Sequence, residues 1–443
     1  MPEMNSTPAW IGLILAVMIA AYALAKWKKL SVETSMLAAA IAGGLAGALT
    51  KTPPLAELPR HLVEGAFTYL DVVLLFASAT TFMAIMSESG SVNLVVRGTL
   101  KIFYNKRAIV LVLLMIIVLI PGALTGAGSV SLLVVGAPVA VALGSLGVPK
   151  KRVAAILFIT AGLSAAAPPV NIWAMVLCAG TAIPYVGFVL PLGIPVLLLG
   201  TFTILYLGWK KEGEMDLERA LREMPAIPPR MSWWRVFLPF FIFFGLVAAY
   251  RIWPFSSPIF GLALEFTLAA IVALIVSPKR INILILSRDT VKRLLPLLAT
   301  MVIVGMLQQI MTATGVRGLI SFAVLSTPLV LLFILLAVIM PVSEGVLTYG
   351  AAAIIGIPLI WFFDSIGLHA TVAIAGLSLL WPLGDGLPPT ALIGRLSMIV
   401  SEYKGTYFSF IKETWLPWAV ITVVGVLMVV FSAKLAFLVR WSM

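Results

Sequence analysis

The stretch PGALTGAGSVSLLVVGAPVAVALGSLGVP at 121–149 has a counterpart in PVSEGVLTYGAAAIIGIPLIWFFDSIGLH at 341–369. The first copy leads to AAAPPV at 165–170, and the second leads to GLPPTA at 386–391. The residues that are identical at one offset of 220 positions are Pro121/Pro341, Gly136/Gly356, Pro138/Pro358, Ser145/Ser365, Gly147/Gly367, Pro168/Pro388 and Pro169/Pro389. Because Pro and Gly decide where a helix bends or ends, the offset predicts two copies of one broken-helix unit.

The composition indicates an all-α membrane protein with many spans. The chain has 443 residues, of which 61% are hydrophobic and 11% are charged, and its mean hydropathy is +1.11. Such a chain cannot be a transmembrane barrel, whose strands alternate apolar and polar residues. The net charge of +12 comes from Lys and Arg residues in short loops, so we expect it to orient the chain in the lipid bilayer and not to bind nucleic acid.

Segments long enough to cross a bilayer occur in the same order in both halves. They lie near 9–27, 33–50, 66–88, 153–178 and 184–209, and then near 233–253, 260–277, 294–313, 370–395 and 415–440. Between the third and fourth segments come 107–146 and 326–366, whose short apolar arms predict re-entrant hairpins. We expect repeats at 1–209 and 233–443, each with five transmembrane helices and one hairpin. Because five is odd, the second repeat must be inverted relative to the first.

The basic residues support this topology. All 30 Lys and Arg residues fall on one side of the membrane except Lys51, Arg60, Arg251, Arg317, Lys434 and Arg440. Cytoplasmic loops are rich in Lys and Arg, so the sequence predicts a multi-pass protein of the inner membrane with both termini periplasmic. The polar stretch 210–232 joins the halves, and we expect a short cytoplasmic linker helix with Met215, Leu217, Leu221 and Met224 on one face. The alternative is a solvated linker without another role.

The hairpin tips and the Pro-Pro breaks are the candidate cation sites. A helix interrupted in mid-membrane leaves carbonyl groups that suit a hard cation and amide groups that suit an anion. The predicted cation-binding residues of the first half are Gly126, Gly128, Ser129, Ser164 and Pro168. Those of the second half are Ser343, Glu344, Gly345, Asp385 and Pro388. The alternative is that the small residues serve helix packing alone and that the prolines are plain kinks.

Glu344 and Asp385 are the most informative acidic residues, because they fall at the tip and the break of the same half. A charge at the bilayer centre costs at least about 2.5–3.5 kcal/mol on insertion scales. These residues therefore predict a site that ligates a cation or relays a proton. Alternatively, Glu344 lies in water and Asp385 caps the following half-helix.

The sequence shows no motif for enzymatic chemistry. It contains no phosphate-binding glycine loop and no nucleophile triad, and its single cysteine, Cys178, provides no metal cluster. We therefore expect no enzyme activity and no cofactor, with Na⁺ or H⁺ as the coupling ion.

The order of hairpin, Pro-Pro break and inverted copy, with VLLFASATTFMAIMSESG at 73–90 ahead of the first hairpin, resembles the large membrane subunit of TRAP (tripartite ATP-independent periplasmic) transporters. More broadly it resembles the ion transporter superfamily, which includes the divalent anion:sodium symporters. The resemblance implies sodium-coupled uptake of a small organic anion, such as a C4-dicarboxylate, by an elevator mechanism. One sodium ion would lie between 125–129 and 164–169, and another between 343–345 and 385–389. The implied substrate-binding residues are Thr125, Asn171, Thr348 and Thr390.

Three features depart from the family pattern. The first tip reads TGAGS where the family is Ser-rich, and the second break reads PPTA in place of Pro-Pro-Val-Gly. Glu344 and Asp385 also place negative charge where a dicarboxylate would bind, so a cation/proton antiporter that uses these two residues stays open. The implied partners are a small membrane subunit and a periplasmic binding protein, unless the chain acts alone. The aromatic segment 233–253 suits a scaffold that forms a homodimer.

Overall fold

The computed structural model describes residues 8–212, 216–253, 258 and 260–440, and within these ranges the regular structure is helical, with no strand. The helices of the first half are α1 (Pro8–Trp27), α2 (Val32–Ala48), α3 (Leu58–Ala66), α4 (Leu70–Glu88), α5 (Ser91–Phe103), α6 (Arg107–Thr125), α7 (Gly128–Ser131), α8 (Ala137–Ser145), α9 (Lys150–Ala166), α10 (Ile172–Thr181) and α11 (Val189–Gly208). The helices that follow are α12 (Leu217–Glu223), α13 (Trp233–Ile252), α14 (Leu262–Val276), α15 (Ile283–Ala313), α16 (Val316–Ser326), α17 (Leu329–Leu347), α18 (Ile357–Ser365), α19 (Ala370–Gly384), α20 (Leu392–Val400), α21 (Tyr407–Glu413), α22 (Trp415–Val430) and α23 (Phe437–Arg440).

The chain is an all-α polytopic membrane protein, as the composition predicted. Seven helices of the described ranges are long and apolar enough to cross a membrane, or eight if the bent pair α21 and α22 counts as one span. The helix α15 has 31 residues and begins well before the predicted segment 294–313. Its first turns contain Arg, Asp and Lys residues, so they form no continuous apolar run, and the predicted segment began after them.

The helices α5 and α16 were not predicted. Each begins directly after a glycine in the left-handed region, Gly90 at φ +85° and Gly315 at φ +79°. These glycines end the related sequences MSESG and MTATG. With 13 and 11 residues, both helices are too short to cross a bilayer, so hydropathy gave no signal for them.

The segment 107–146 is a helical hairpin whose two ends lie side by side. Arg107, at the start of α6, donates hydrogen bonds to the carbonyls of Leu146 (2.5 Å) and Gly208 (2.6 Å). The hydroxyl of Tyr104 donates to the carbonyl of Ser145 at the end of α8 (2.9 Å). The chain therefore returns to the end of the molecule from which it started.

The segment 326–366 is a second hairpin, and it opens at the opposite end. Phe333 near the start of α17 stacks on Phe363 near the end of α18, with ring centroids 5.9 Å apart. The end of α18 shares a surface cleft with His369 and Ala370, where α19 begins, and with Ile183, just beyond the end of α10. The start of the second broken helix thus lies beside the end of the first.

The broken helices α9–α10 and α19–α20 run in opposite directions. At the other end of the molecule, the start of α9 meets the end of α20 through the ion pair of Lys150 with Glu402 (2.8 Å). The hydrogen bond from Lys150 holds the pKa of the exposed Glu402 carboxyl below its usual value. Next to it, Lys151 pairs with Glu413 (2.6 Å).

The local geometry of the two hairpins repeats at the sequence offset. A π-helical turn occupies Leu132–Gly136 in the first and Ala352–Gly356 in the second, which is the same offset of 220. The helices α8 and α18, and the starts of α10 and α20, follow it as well. In both copies the bond between the paired prolines is cis. The division into two inverted repeats at 1–209 and 233–443 stays a prediction.

The predicted linker 210–232 contains one short helix, α12, which packs against α8 and α5 at the opening of the first hairpin. Leu217 and Leu221 are half-buried and Met224 is buried, while Met215 lies outside the described residues. Arg97 of α5 donates hydrogen bonds to the carbonyls of Met224 and Pro225, at 3.0 Å each. The linker is therefore fastened to the part of the molecule from which the first hairpin enters.

Candidate functional site

The first hairpin tip is a fully buried turn. The helix α6 ends at Gly126 in the left-handed conformation (φ +71°), which a glycine adopts without steric cost, and α7 restarts at Gly128 after one extended residue. The hydroxyl of Thr125 donates to the carbonyl of Pro121 (2.7 Å) inside its own helix. Gly128 packs against the carbonyl of Ala161 and the side chain of Ile393, so it contacts both broken helices.

The first break closes on this tip through neutral polar groups. The amide of Val170 donates to the carbonyl of Ala123 (3.0 Å). The hydroxyl oxygens of Ser131 and Ser164 are 3.2 Å apart, and Ser131 also accepts from the amide of Gly122 (2.9 Å). Ser131 was not predicted as a site residue, because nothing in its sequence neighbourhood separates it from the packing residues around it.

Asn171, a predicted substrate residue, caps the helix that follows the first break. Its Oδ1 accepts from the amide of Ala174 (2.9 Å), and its Nδ2 donates to the carbonyl of Ala166 (3.0 Å). The side-chain amide thus satisfies backbone groups on both sides of the unwound segment. Pro168 is half-buried, and the carbonyl of Pro169 accepts from the hydroxyl of Tyr185 (3.0 Å).

The second tip comes two residues later in its copy than the first, because α17 continues to Leu347 and the predicted tip residues Ser343, Glu344 and Gly345 lie in its last turns. This end of α17 contacts the second break. The carbonyl of Gly345 accepts from the amide (3.3 Å) and the hydroxyl (3.0 Å) of Thr390, whose position corresponds to that of Val170 in the first half. The hydroxyl of Ser343 donates to the carbonyl of Met340 (2.8 Å), and that of Thr348 to the carbonyl of Leu347 (2.7 Å). Thr348 has φ +52° and ψ −143°, a conformation that disfavours a β-branched residue.

The centre of the second tip holds two buried carboxyl groups. Glu344 is 1% exposed and Asp385 is 7% exposed, and the two groups interact electrostatically. The elements meet so closely that a side chain on Gly384 would place its Cβ 2.6 Å from that of Glu344. Among the residues that the structure describes, no Lys or Arg is buried, so no basic side chain neutralises this pair from within the core.

Two aromatic residues that the sequence analysis missed join the halves at this point. The indole Nε1 of Trp173, in α10, donates to Oε2 of Glu344 (2.9 Å). The hydroxyl of Tyr349, just beyond the second tip, donates to the carbonyl of Gly126 at the first tip (3.2 Å). The Trp173 and Tyr349 rings are 5.0 Å apart. Both residues lie next to a break or a tip in sequence, but their partners belong to the other half, so no local signal identified them.

Further polar atoms continue from the carboxyl pair along α19. Ser378, Trp381 and Asp385 follow one another at i, i+3 and i+7, which places them on one helix face. Ser378 and Trp381 are fully buried. Within the described ranges, the hydroxyl of Ser378 and the indole nitrogen of Trp381 have no hydrogen-bond partner.

The structure therefore brings the predicted residues together in two groups, one at each tip. Ser129 is buried at the first tip, whereas Pro388 is exposed although its counterpart Pro168 is half-buried. Thr125, Thr348 and Thr390 all direct their hydroxyl hydrogen bonds to backbone carbonyls. No cluster of three or more His, Cys, Asp or Glu side chains suited to a metal ion occurs in the described part of the chain.

No protein-family model matches the sequence, and no curated protein matches it either. The fold is similar to the crystal structure of the YdaH transporter from Alcanivorax borkumensis, described as having an unusual topology. The TM-score is 0.55 at 14% sequence identity, and the similarity covers 85% of this chain and 87% of that one. At this identity the likeness concerns the fold alone, and it agrees with the all-α polytopic fold that the sequence predicted. The chain is thus a polytopic helical membrane protein with the fold of a membrane transporter.

Proposed function

We propose that the chain is a cation-coupled secondary transporter and that Glu344 and Asp385 bind the coupling cation. The observation that carries this proposal is the buried carboxyl pair at the point where a hairpin tip, a Pro-Pro break and an indole N–H meet. Two buried carboxylates without a basic partner are costly in a low-dielectric interior. A bound Na⁺ or proton lowers that cost, and such a site fills and empties as the ion moves.

The substrate in this proposal is a small organic anion, such as a C4-dicarboxylate, as in the family that the sequence resembles. The carboxyl pair explains why its transport would be coupled. An anion that approaches Glu344 and Asp385 without a cation meets repulsion between like charges in a medium that screens poorly. Cation binding therefore precedes anion binding, and neither leaks across alone.

In this proposal, the two hairpins and the two broken helices move together as an elevator against the remaining helices. Hydrogen bonds between the halves support one moving body, because Trp173 binds Glu344 and Tyr349 binds the first tip. Gly126, whose carbonyl accepts from Tyr349, is also one of the residues of the predicted first sodium site. Helices α13 and α14 pack against each other and against α4, and they form the static side in this proposal.

Cation/proton antiport is the second candidate. It is favoured by the same two carboxyl groups, because a pair of buried acids can exchange a proton for a metal cation without any organic substrate. The hydroxyl of Ser378 would then offer an oxygen to water or a cation, and the indole N–H of Trp381 would donate to water.

Reconstitution into proteoliposomes separates the two candidates. The proposed carrier takes up labelled succinate under an inward sodium gradient, and Glu344→Gln abolishes the uptake. The antiporter instead alkalinises the lumen, reported by an internal pH dye, under the same gradient and without succinate. If a preparation shown to be folded gave neither succinate uptake nor alkalinisation of the lumen, the coupled-transporter proposal would be overturned for these ions and this substrate.

The same vesicles test the proposed partners and orientation. Uptake by the purified chain alone shows that a small membrane subunit and a periplasmic binding protein are dispensable. Cross-linking in the vesicles reports whether the chain is a homodimer. Cysteine labelling at the two termini in whole cells tests whether both are periplasmic in the inner membrane.

A further inference from the structure

A cavity of about 400 Å³ lies between the first hairpin and the helices α4 and α15, away from the carboxyl pair. The hairpin contributes Val130, Leu133 and Val134, and Val130 directly follows Ser129 of the first tip. The other lining residues are Thr80, Ala84, Ser87, Glu88, Arg280, Ile281, Asn282, Ile285, Leu286, Asp289, Thr290, Arg293 and Leu294. Its volume is in the range of sites for small molecules.

The charge of the cavity favours an anion with a single negative charge. Arg280 and Arg293 line it, together with Glu88 and Asp289. Glu88 is already paired with Lys279 at the edge of the cavity. Because Lys279 neutralises Glu88, the remaining charged residues of the lining are Arg280, Arg293 and Asp289, which together carry one positive charge. A monoanion neutralises it, whereas a dianion would leave an excess of negative charge.

The uncharged part of the lining is mostly apolar, and its polar residues are Thr80, Ser87, Asn282 and Thr290. Leu133 is 54% exposed and Ile285 is 58% exposed, so two large side chains present open apolar surface at this cavity. Thr80 is 7% exposed, and its hydroxyl has no hydrogen-bond partner among the described residues. A buried hydroxyl without a partner is uncommon, and a ligand or water atom in the cavity would satisfy it.

We propose that this cavity binds a small organic monoanion with an apolar body. Arg280 and Arg293 hold the anionic group, Leu133 and Ile285 contact the body, and Thr80 bonds to a polar atom at the inner end. The walls belong to the hairpin on one side and to α4 and α15 on the other, so a ligand that contacts both stabilises this arrangement of the two. If the hairpin moves as in the proposed function, a ligand bound here inhibits transport. The binding itself does not depend on the proposed function.

The probe for the test is 4-phenylbutyrate, titrated by calorimetry into the full chain in detergent. The uncharged 4-phenyl-1-butanol and the dianion phenylsuccinate serve as ligand controls. Of the three compounds, we expect only 4-phenylbutyrate to bind measurably. The variant Arg280→Ala/Arg293→Ala should lose roughly tenfold or more in affinity, because charge-assisted hydrogen bonds are lost. Leu133→Trp, which fills the cavity, should abolish binding.

Matched variants separate the cavity from general effects. Arg288→Ala and Lys292→Ala remove exposed basic residues of the same helix that do not line the cavity, and they should bind 4-phenylbutyrate as the parent does. Thr80→Val keeps the side-chain shape and removes the hydroxyl. It should leave the affinity for 4-phenylbutyrate unchanged and weaken that for 4-(4-hydroxyphenyl)butyrate, whose phenol supplies a polar atom at the end opposite the carboxylate. Glu344→Gln should bind normally, and thus a transport defect and a failure of this site are distinguishable.

Three results would overturn the inference. Equal binding of 4-phenyl-1-butanol would show an apolar cavity without an anion site. Unchanged affinity in the double arginine variant would remove the assigned role of the basic residues. In nanodiscs, loss of 4-phenylbutyrate binding with phosphatidylglycerol but not with phosphatidylcholine would assign the cavity to a lipid headgroup.

Discussion

The two tip-and-break regions share a backbone and differ in chemistry. In the first, the hydroxyls of Ser131 and Ser164 close the structure. The corresponding positions in the second are Ala351 and Gly384. Conversely, Glu344 and Asp385 correspond to Leu124 and Ala165 in the first region. The polar groups thus occupy different positions in the two copies, although the π-helical turns and the starts of α10 and α20 coincide at the offset of 220.

This difference teaches that the backbone break and the chemistry of the site are separable. A neutral hydroxyl pair ties a tip to its break at low cost, because each hydroxyl is satisfied by a neighbour. A carboxyl pair in the same frame stays energetically unfavourable until a cation arrives. We therefore expect substitutions in the second region to act on ion binding and those in the first to act on stability.

The largest effect is expected from Glu344→Gln. The amide keeps the size of the side chain and can still accept from the indole of Trp173, but it carries no charge to bind the coupling cation. Cation-driven uptake should fall by about 100-fold or more, which corresponds to about 2.7 kcal/mol or more of lost stabilisation. Initial rates in proteoliposomes provide the measurement.

The exposed acid Glu402 provides the matched control for that variant. Glu402→Gln removes a carboxylate of the same type at a surface loop, and uptake should stay at the parental level. If Glu344→Gln kept the parental rate and ion dependence, the distinction between the two regions would fail.

The next effect tests the first region through a close contact. A Cβ at Gly122 would lie 1.9 Å from Oγ and 2.5 Å from Cβ of Ser164. Gly122→Ala should therefore destabilise the protein by about 2 kcal/mol, within the usual range for overpacking. Ser164→Gly removes both clashing atoms. The double variant should be more stable than the sum of the single effects predicts, as measured by denaturation in detergent.

In that cycle, Ser164→Ala relieves the clash with the Cβ added at position 122 only in part, because it removes Oγ and leaves Cβ. Stability should rise in the order Gly122→Ala, Gly122→Ala/Ser164→Ala, Gly122→Ala/Ser164→Gly. An additive cycle would contradict the contact on which the description of the first region rests.

A smaller effect is expected from Trp173→Phe, because Trp173 follows the first break and its indole N–H bonds to Glu344 of the second region. The variant keeps an aromatic ring beside Tyr349 and removes the N–H that donates to Glu344. The apparent affinity for the coupling cation should change by about tenfold, as for one hydrogen bond to a charged group. The maximal uptake rate should change little. Titration of uptake against sodium concentration measures both, and Trp418→Phe, beside Phe158, is the control.

The smallest effect concerns the backbone of the second tip. Thr348 has φ +52°, where a β-branched residue is strained by about 1–3 kcal/mol and glycine is not. Thr348→Gly loses about 0.5–1 kcal/mol through backbone entropy, so the net result is a gain of about 1 kcal/mol. The midpoint of thermal denaturation should rise slightly. Thr327→Gly, at negative φ, should lower it.

Much of the fold could be predicted because it depends on local chemistry. Pairs of prolines cannot continue a helix, and α9 and α19 both end before their paired prolines. The long helices were predicted from the length of their apolar runs, which is also a local property of the sequence. The short helices α5 and α16 were not predicted because they are amphipathic and contain no apolar run long enough to cross a membrane.

The sequence by itself determined that the chain is a helical membrane protein, that helices end before the paired prolines, and that Glu344 and Asp385 belong to apolar segments. Only the tertiary structure decided which groups those carboxyls meet. Trp173 and Tyr349 each bind a group in the other half of the chain, more than 170 residues away. Such contacts depend on how two oppositely directed units pack, and no periodicity within a segment carries that information.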